Sequence, residues 1–246
     1  MDLFAFPPLA ALLDAVDRGL TALAGALSSI APGWGAALAV IAATLAIRAL
    51  LIPLGVRQMR AQLARLRLAP QLAALQKRHA RNPERLQQET MALYRRENVS
   101  PFGGFGSALV QLPIIGLLYA AFVRPEIGGH PNGLLEQTLL GLPLGHSAGS
   151  ALAGWPGALV AIALLLVLAA AAWAGRRVSR RIAPAPTGQG ATLARVLSWL
   201  PFLTVVAGAL VPLAAGLYLA VSTSWSAVER AVLFRALSPA ASPATA

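Results

Sequence analysis

Cysteine is absent from all 246 residues. That excludes disulfides, thiolate metal sites and lipid anchoring through a cysteine. Charge is scarce too, at 12% of residues against 57% hydrophobic. Acids are rarest, nine against 20 Lys and Arg, so paired carboxylates for general acid–base work have little to draw on. The three histidines, His79, His130 and His146, stand alone without ligand spacing and read as loop or surface residues. No nucleophile–base set, metal cluster or phosphate-cradling glycine loop appears, so an enzyme is the poorest reading, and no cofactor is implied. The net charge of +11 comes without aromatic interleaving or a known reader motif. Direct nucleic-acid binding is therefore not expected.

What the chain does have is several apolar runs near the length that crosses a bilayer. A chain facing lipid must satisfy its backbone internally, so the expected fold class is an all-α polytopic membrane protein. Five transmembrane helices are expected, at 34–56, 102–123, 154–175, 192–210 and 211–232. Between them lie a cytoplasmic basic helical hairpin (57–101), an external loop (124–153) and a cytoplasmic basic loop (176–191). An external amphipathic helix and lead-in (1–33) precede them, and a disordered cytoplasmic tail (233–246) follows. Ten Lys and Arg fall between Arg57 and Arg96, five between Arg176 and Arg195, and Arg230 and Arg235 follow the last span. Basic residues concentrate on the cytoplasmic side, which puts the N-terminus outside and the C-terminus inside. Only Arg18 and Arg124 fall on the other side.

One arginine fits neither side. Arg48 lies nine residues before Arg57, the next charge, inside the otherwise apolar stretch from Gly35 to Gly55. That separation is roughly 13 Å along a helix, too deep for simple snorkelling to the headgroups. An isolated guanidinium there costs about 2.5–3.5 kcal/mol on insertion scales, so it should face water or a partner inside the protein. No acid stands at comparable depth in another predicted span, which favours a hydrated, functional arginine over an internal ion pair.

The opening residues do not read as a cleavable signal, because Asp2 replaces a basic start and Asp14, Asp17 and Arg18 interrupt the apolar run. Leu9, Leu12, Leu13, Val16, Leu20, Leu23 and Leu27 recur at helical spacing, with Asp14, Asp17, Arg18 and Thr21 opposite. This predicts a helix lying on the outer membrane surface, apolar side down, and bracing the bundle. Within 57–100, Asn82-Pro83-Glu84 reads as a helix restart: an N-cap, then proline in the first turn, then an acid. Other spans carry short polar stripes: Thr44 with Arg48, Ser107 with Gln111, and Tyr218 with Ser222, each at i, i+4. Such stripes either gather around a wet interior or bond between helices.

Several stretches, taken in order, resemble the YidC/Oxa/Alb family of membrane protein insertases. They are Arg48 to Leu54 with Gln58-Met59, Leu68 to Leu72, and Asn82 to Tyr94. Ser100-Pro101-Phe102-Gly103-Gly104 follows, then Gln111-Leu112-Pro113-Ile114, Leu118-Tyr119, Leu200-Pro201-Phe202 and Pro212 to Tyr218 with Trp225. The similarity covers about residues 34 to 232. It implies five helices around a polar groove open to the cytoplasm and lipid and closed to the outside. Arg48 matches the family's groove arginine, and Thr44, Ser107, Gln111, Tyr119, Tyr218 and Ser222 are expected to line the groove with it.

The implied function is insertion and folding of integral membrane proteins, alone or with the Sec translocon, without nucleotide or bond chemistry. The implied partners are nascent membrane proteins, the Sec translocon, the lipid bilayer and, weakly, the ribosome. Arg60, Arg67, Lys77, Arg78, Arg85, Arg176, Arg177, Arg180 and Arg181 are the expected cytoplasmic docking residues. The sequence departs from the family at Ser100, where asparagine is usual, at Phe105, often cysteine, and at Ser222-Thr223, often paired asparagine. It lacks the basic C-terminal extension, which leaves ribosome contact to the hairpin and the Arg176–Arg181 loop. The form resembles compact bacterial members without an outer periplasmic module, placed in the plasma membrane. The alternative, a transporter or channel for small anions with a midplane arginine, should show inverted repeats, and none is found.

Overall fold

The computed structural model describes residues 6–100, 105–155, 157–182 and 195–238, with backbone alone for 105–112. The Pro101–Gly104 entry, the 183–190 linker and the tail from 239 fall outside the described residues, as do the side chains of Ser107 and Gln111.

Helix α1 (Pro7–Ser28) opens with two prolines, placed where helical N–H groups have no partner anyway. Its stripe of Leu13, Leu20 and Ala24 is buried, and α1 packs mainly on α2 (Gly35–Leu50). The approach is close enough that a Cβ on Gly35 would lie 2.6 Å from both the Ala24 carbonyl oxygen and the Ser28 nitrogen. Backbone meets backbone there, which only glycine permits. The polar side of α1 is divided, with Arg18 exposed and Asp17 not. Asp17 is buried, because the turn between strands β1 (Glu126–Ile127) and β2 (His130–Pro131) folds over it.

The predicted span 34–56 is a bent path rather than one straight helix. α2 passes into α3 (Ile52–Arg78) with a 54° bend at Leu51. Pro53 stands in the first turn of α3, has no N–H to give and crowds the preceding turn. α3 then runs directly into the basic hairpin. Helix α4 (Pro83–Arg96) starts as the sequence predicts, with the Asn82 side chain accepting the Arg85 N–H at 3.0 Å. Leu68 and Leu93 are the buried contacts of the hairpin, and Arg96 donates to Gln71 Oε1 at 3.3 Å.

Helix α5 (Phe105–Val123) leads into a loop that adds two minimal hairpins to an otherwise helical chain, as the all-α expectation has it. It carries two antiparallel two-stranded hairpins, β1–β2 and β3 (Thr138–Leu139) with β4 (Leu142–Pro143), and short helices α6 (Gly133–Glu136) and α7 (Ala148–Ala151). Buried Asn132 ties this loop to the bundle. Its amide donates to the carbonyls of Ala121 (2.8 Å) and Arg124 (2.9 Å) at the end of α5, and its Oδ1 accepts the Leu134 N–H (3.1 Å).

Helix α8 (Gly157–Ile182) is long and apolar enough to cross a bilayer by itself, and it continues through the basic Arg176–Arg181 stretch instead of stopping before it. The predicted span 192–210 is broken within its described part. Pro201 sits in a 3₁₀ turn, Leu200–Phe202, and α9 (Leu203–Leu210) is only eight residues long. Helix α10 (Leu213–Leu237) is the hub, in contact with α2, α3, α5, α8 and α9. Its early small residues, Ala214, Ala215 and Gly216, let neighbouring backbones come close.

Candidate functional site

Arg48 stands at the last turn of α2, three residues before the bend at Leu51, and is half-buried. Its Nε donates to Ser222 Oγ of α10 at 3.0 Å, and its Nη2 donates to the same oxygen. A guanidinium carries five N–H donors, so three remain without a partner among the described residues. They border a cavity of about 460 Å³ between α2, α3, α8, α9 and α10. The rim includes Gln58 and Gln62 from α3, Ser179 from α8 and Arg230 from α10. The cavity therefore lies toward the end of the bundle that bears the basic hairpin.

The Thr223 and Ser226 hydroxyls of the lining are left as acceptors. Thr223 donates to the Leu219 carbonyl (2.7 Å) and Ser226 to the Ser222 carbonyl (2.9 Å), so each hydroxyl spends its hydrogen on its own helix. Toward the loop end the bundle is sealed. Val40, Leu118, Phe122, Leu213 and Tyr218 are buried there, with the Phe122 and Tyr218 rings 5.7 Å apart. The loop locks onto the start of α10 through Leu213 N–H to the His146 carbonyl (2.8 Å) and Ala214 N–H to that of Leu144 (3.1 Å).

Of the predicted groove residues, the cavity gathers Arg48 and Ser222. Thr44 is buried and donates to the Val40 carbonyl at 2.7 Å, so it belongs to the seal. Tyr218 also belongs to the seal, although its hydroxyl borders Ser222 and the Arg48 charge. Tyr119 is exposed and does not line the cavity. The sequence reading missed Glu229, an acid that lines the same cavity as Arg48, although nearer the end of its helix. Its position near the end of the last span was the available signal.

The predicted docking arginines divide. Arg60, Arg67, Lys77, Arg78, Arg85, Arg180 and Arg181 are exposed. Arg176 is used internally: it lies 4.0 Å over the Trp199 ring and its Nε donates to the Ser198 carbonyl at 3.1 Å. Arg177 lies 5.0 Å over Trp173. At the other end, His130 Nε2 donates to Asp14 Oδ1 (3.1 Å), and Arg18 donates to Asp14 Oδ2 (2.7 Å). The bond to Asp14, helped by the Pro131 carbonyl, raises the His130 pKa above the usual 6.5. Burial pushes the Asp17 carboxyl up, the His130 charge opposes this, and Asp14 adds to it.

Among the described residues, a half-buried arginine thus borders a cavity whose loop end is packed with apolar side chains. Residues 27–240 match the 60Kd inner membrane protein family, and the chain belongs to it, which is the YidC/Oxa/Alb family that its motifs resemble. Similar proteins include the membrane protein insertase YidC of Clostridium perfringens, 34% identical over 47% of this chain and 48% of that one. The YidC of Clostridium tetani is 37% identical over 37% and 41%, and that of Oceanobacillus iheyensis 41% identical over 40% and 40%. The matched part thus spans less than half the length of these curated relatives.

Proposed function

We propose that this protein is a bacterial plasma-membrane insertase and folding chaperone with five spans, its N-terminus outside and its C-terminus in the cytoplasm. α1 lies on the outer surface, the basic hairpin stands in the cytoplasm, and the cavity is a groove wet from that side. The observation that carries this reading is Arg48: its guanidinium is held by a neutral serine, and three N–H donors remain for a guest. The relatives' names supply the class of activity.

The mechanism follows from the groove's electrostatics. A cation in a partly dehydrated cavity attracts acidic or polar segments more strongly than one in bulk water. A wet cavity also shortens the hydrocarbon distance that the substrate's hydrophilic outer segment must cross. The substrate's apolar helix then partitions into lipid, each Leu, Ile, Phe or Val favourable by about 0.3–0.6 kcal/mol. The membrane potential adds outward pull on an acidic segment. No nucleotide or bond chemistry is required. Nascent membrane proteins are the substrates, the Sec translocon is a partner for larger ones, and ribosome contact is weak and runs through the exposed arginines of the hairpin.

Purified protein in liposomes, given a single-span substrate with an acidic outer tail, should yield protease-protected product. Yield no greater than in protein-free liposomes defeats the insertase reading. Because the chain has no cysteine, one introduced at Ser226 reports on the groove alone. It should react with water-soluble thiol reagents added on the cytoplasmic side.

A further inference from the structure

Glu229 is the one acid among the described residues lining the cavity. Its carboxylate is held in place from two sides. Oε2 accepts the Trp225 indole N–H at 3.0 Å, and Oε1 occupies space that Gly55 leaves open, since a Cβ there would stand 2.0 Å away. It does not collapse onto Arg48, which is bound to Ser222 instead. Both charges therefore stay presented to the cavity. Glu229 lies seven residues beyond Ser222 on α10, about 10 Å nearer the hairpin end. Arg230 follows at the rim, donating to Ser179 Oγ at 3.3 Å. Glu229 feels the charge of both arginines. From the rim inward, a guest meets charges of alternating sign: positive, negative, positive.

We propose that Glu229 is a specificity-determining residue of the groove: a fixed counter-charge that lets the cavity admit a segment bearing a single basic residue and limits how tightly it holds acidic ones. The inference rests on the insertase reading. With Arg48 and Arg230 alone, the cavity would repel any lysine and retain acidic segments, slowing their release. With Glu229 in place the lining carries one net positive charge instead of two. A lysine entering the groove gains a partner before it reaches Arg48, while an aspartate meets repulsion on its way to the same arginine.

The test uses three single-span substrates with a common apolar helix and outer tails that are acidic, neutral or carry one lysine. Insertion into liposomes is compared for wild type, Glu229→Gln and Glu229→Asp. Glutamine keeps the size and an acceptor for Trp225 and removes only the charge. The ratio of acidic-tail to lysine-tail product should rise about fivefold in Glu229→Gln, a charge effect across roughly 10 Å. It should shrink at high salt, and Glu229→Asp should keep the wild-type ratio. An unchanged ratio in Glu229→Gln, or an equal change in Glu229→Asp, overturns the proposal. Wild-type protein alone also tests it, because failure to insert the lysine tail while inserting the acidic one overturns it without any variant. Failure of wild type on all three tails overturns the insertase reading itself.

Discussion

The two halves of α10 face opposite requirements. From Leu213 to Tyr218 nearly every side chain is buried against α2, α5 and α8, and the loop bonds to the helix start. From Ser222 to Arg230 the same helix turns hydroxyls, a carboxylate and a guanidinium toward an open cavity. The change occurs within one turn, at Ser222, where Arg48 docks. A packed layer and a polar-lined pocket can adjoin because the polar groups at the boundary bond to one another or to their own backbone. The layer between the cavity and the loop is thereby a thin one of packed side chains.

The largest effect should come from removing the boundary cation. Arg48→Ala should cut insertion of an acidic-tail substrate by about tenfold or more, the loss of one close charge at low effective dielectric. Arg48→Lys should retain part of the activity if charge dominates and little if the planar fork on Ser222 matters. Wild-type activity in Arg48→Ala would erase the distinction between the two halves of α10.

Next come two changes on the sealed side. Gly35→Ala must push α1 from α2, because its methyl meets backbone, and should cost about 1–3 kcal/mol by overpacking. Asn132→Ala strands the carbonyls that cap α5 and should cost about 1–3 kcal/mol. Thermal unfolding in detergent measures both. A destabilisation that leaves the Ser226 cysteine equally reactive would show that the seal can loosen without disturbing the pocket.

The smallest effect is a pH dependence of the contact between α1 and the loop. The raised His130 pKa means its pairing with Asp14 is complete below about pH 6.5 and is lost as pH rises through the higher folded value. The raised Asp17 pKa acts the other way: burial of the ionised carboxylate disfavours the fold once pH exceeds the usual value of 3.8. Asp17→Asn should therefore raise the melting temperature slightly at neutral pH. The hydrogen-exchange protection of α1, after division by the intrinsic base-catalysed rate at each pH, should rise between pH 8 and about pH 6 in wild type and should be flat in His130→Gln.

Much of this was legible in the sequence, and the limits have physical causes. Arg48 stood out because a charge in hydrocarbon needs an explanation, and Ser222 because it shares a helix face with Tyr218. Helical spacing, however, gives a residue's face and not that face's rotation toward a neighbour. Thr44 and Tyr218 therefore went to the seal, although they share stripes with Arg48 and Ser222. A threonine hydroxyl can also satisfy itself on its own backbone, as Thr44 does on Val40, and spacing cannot reveal that. Glu229 was overlooked because an acid near a span's end reads as interfacial. Asp17 and Asn132 depend on a loop that carries no periodicity, so their burial is set by tertiary contacts alone.

The bend at Leu51 couples two parts that a straight helix would keep apart. The peptide that redirects the chain lies three residues from Arg48, and beyond it α3 extends as a single rod into the basic hairpin. The hairpin is therefore tied by continuous backbone, through one helix that includes Pro70, to the floor of the pocket beside the guanidinium.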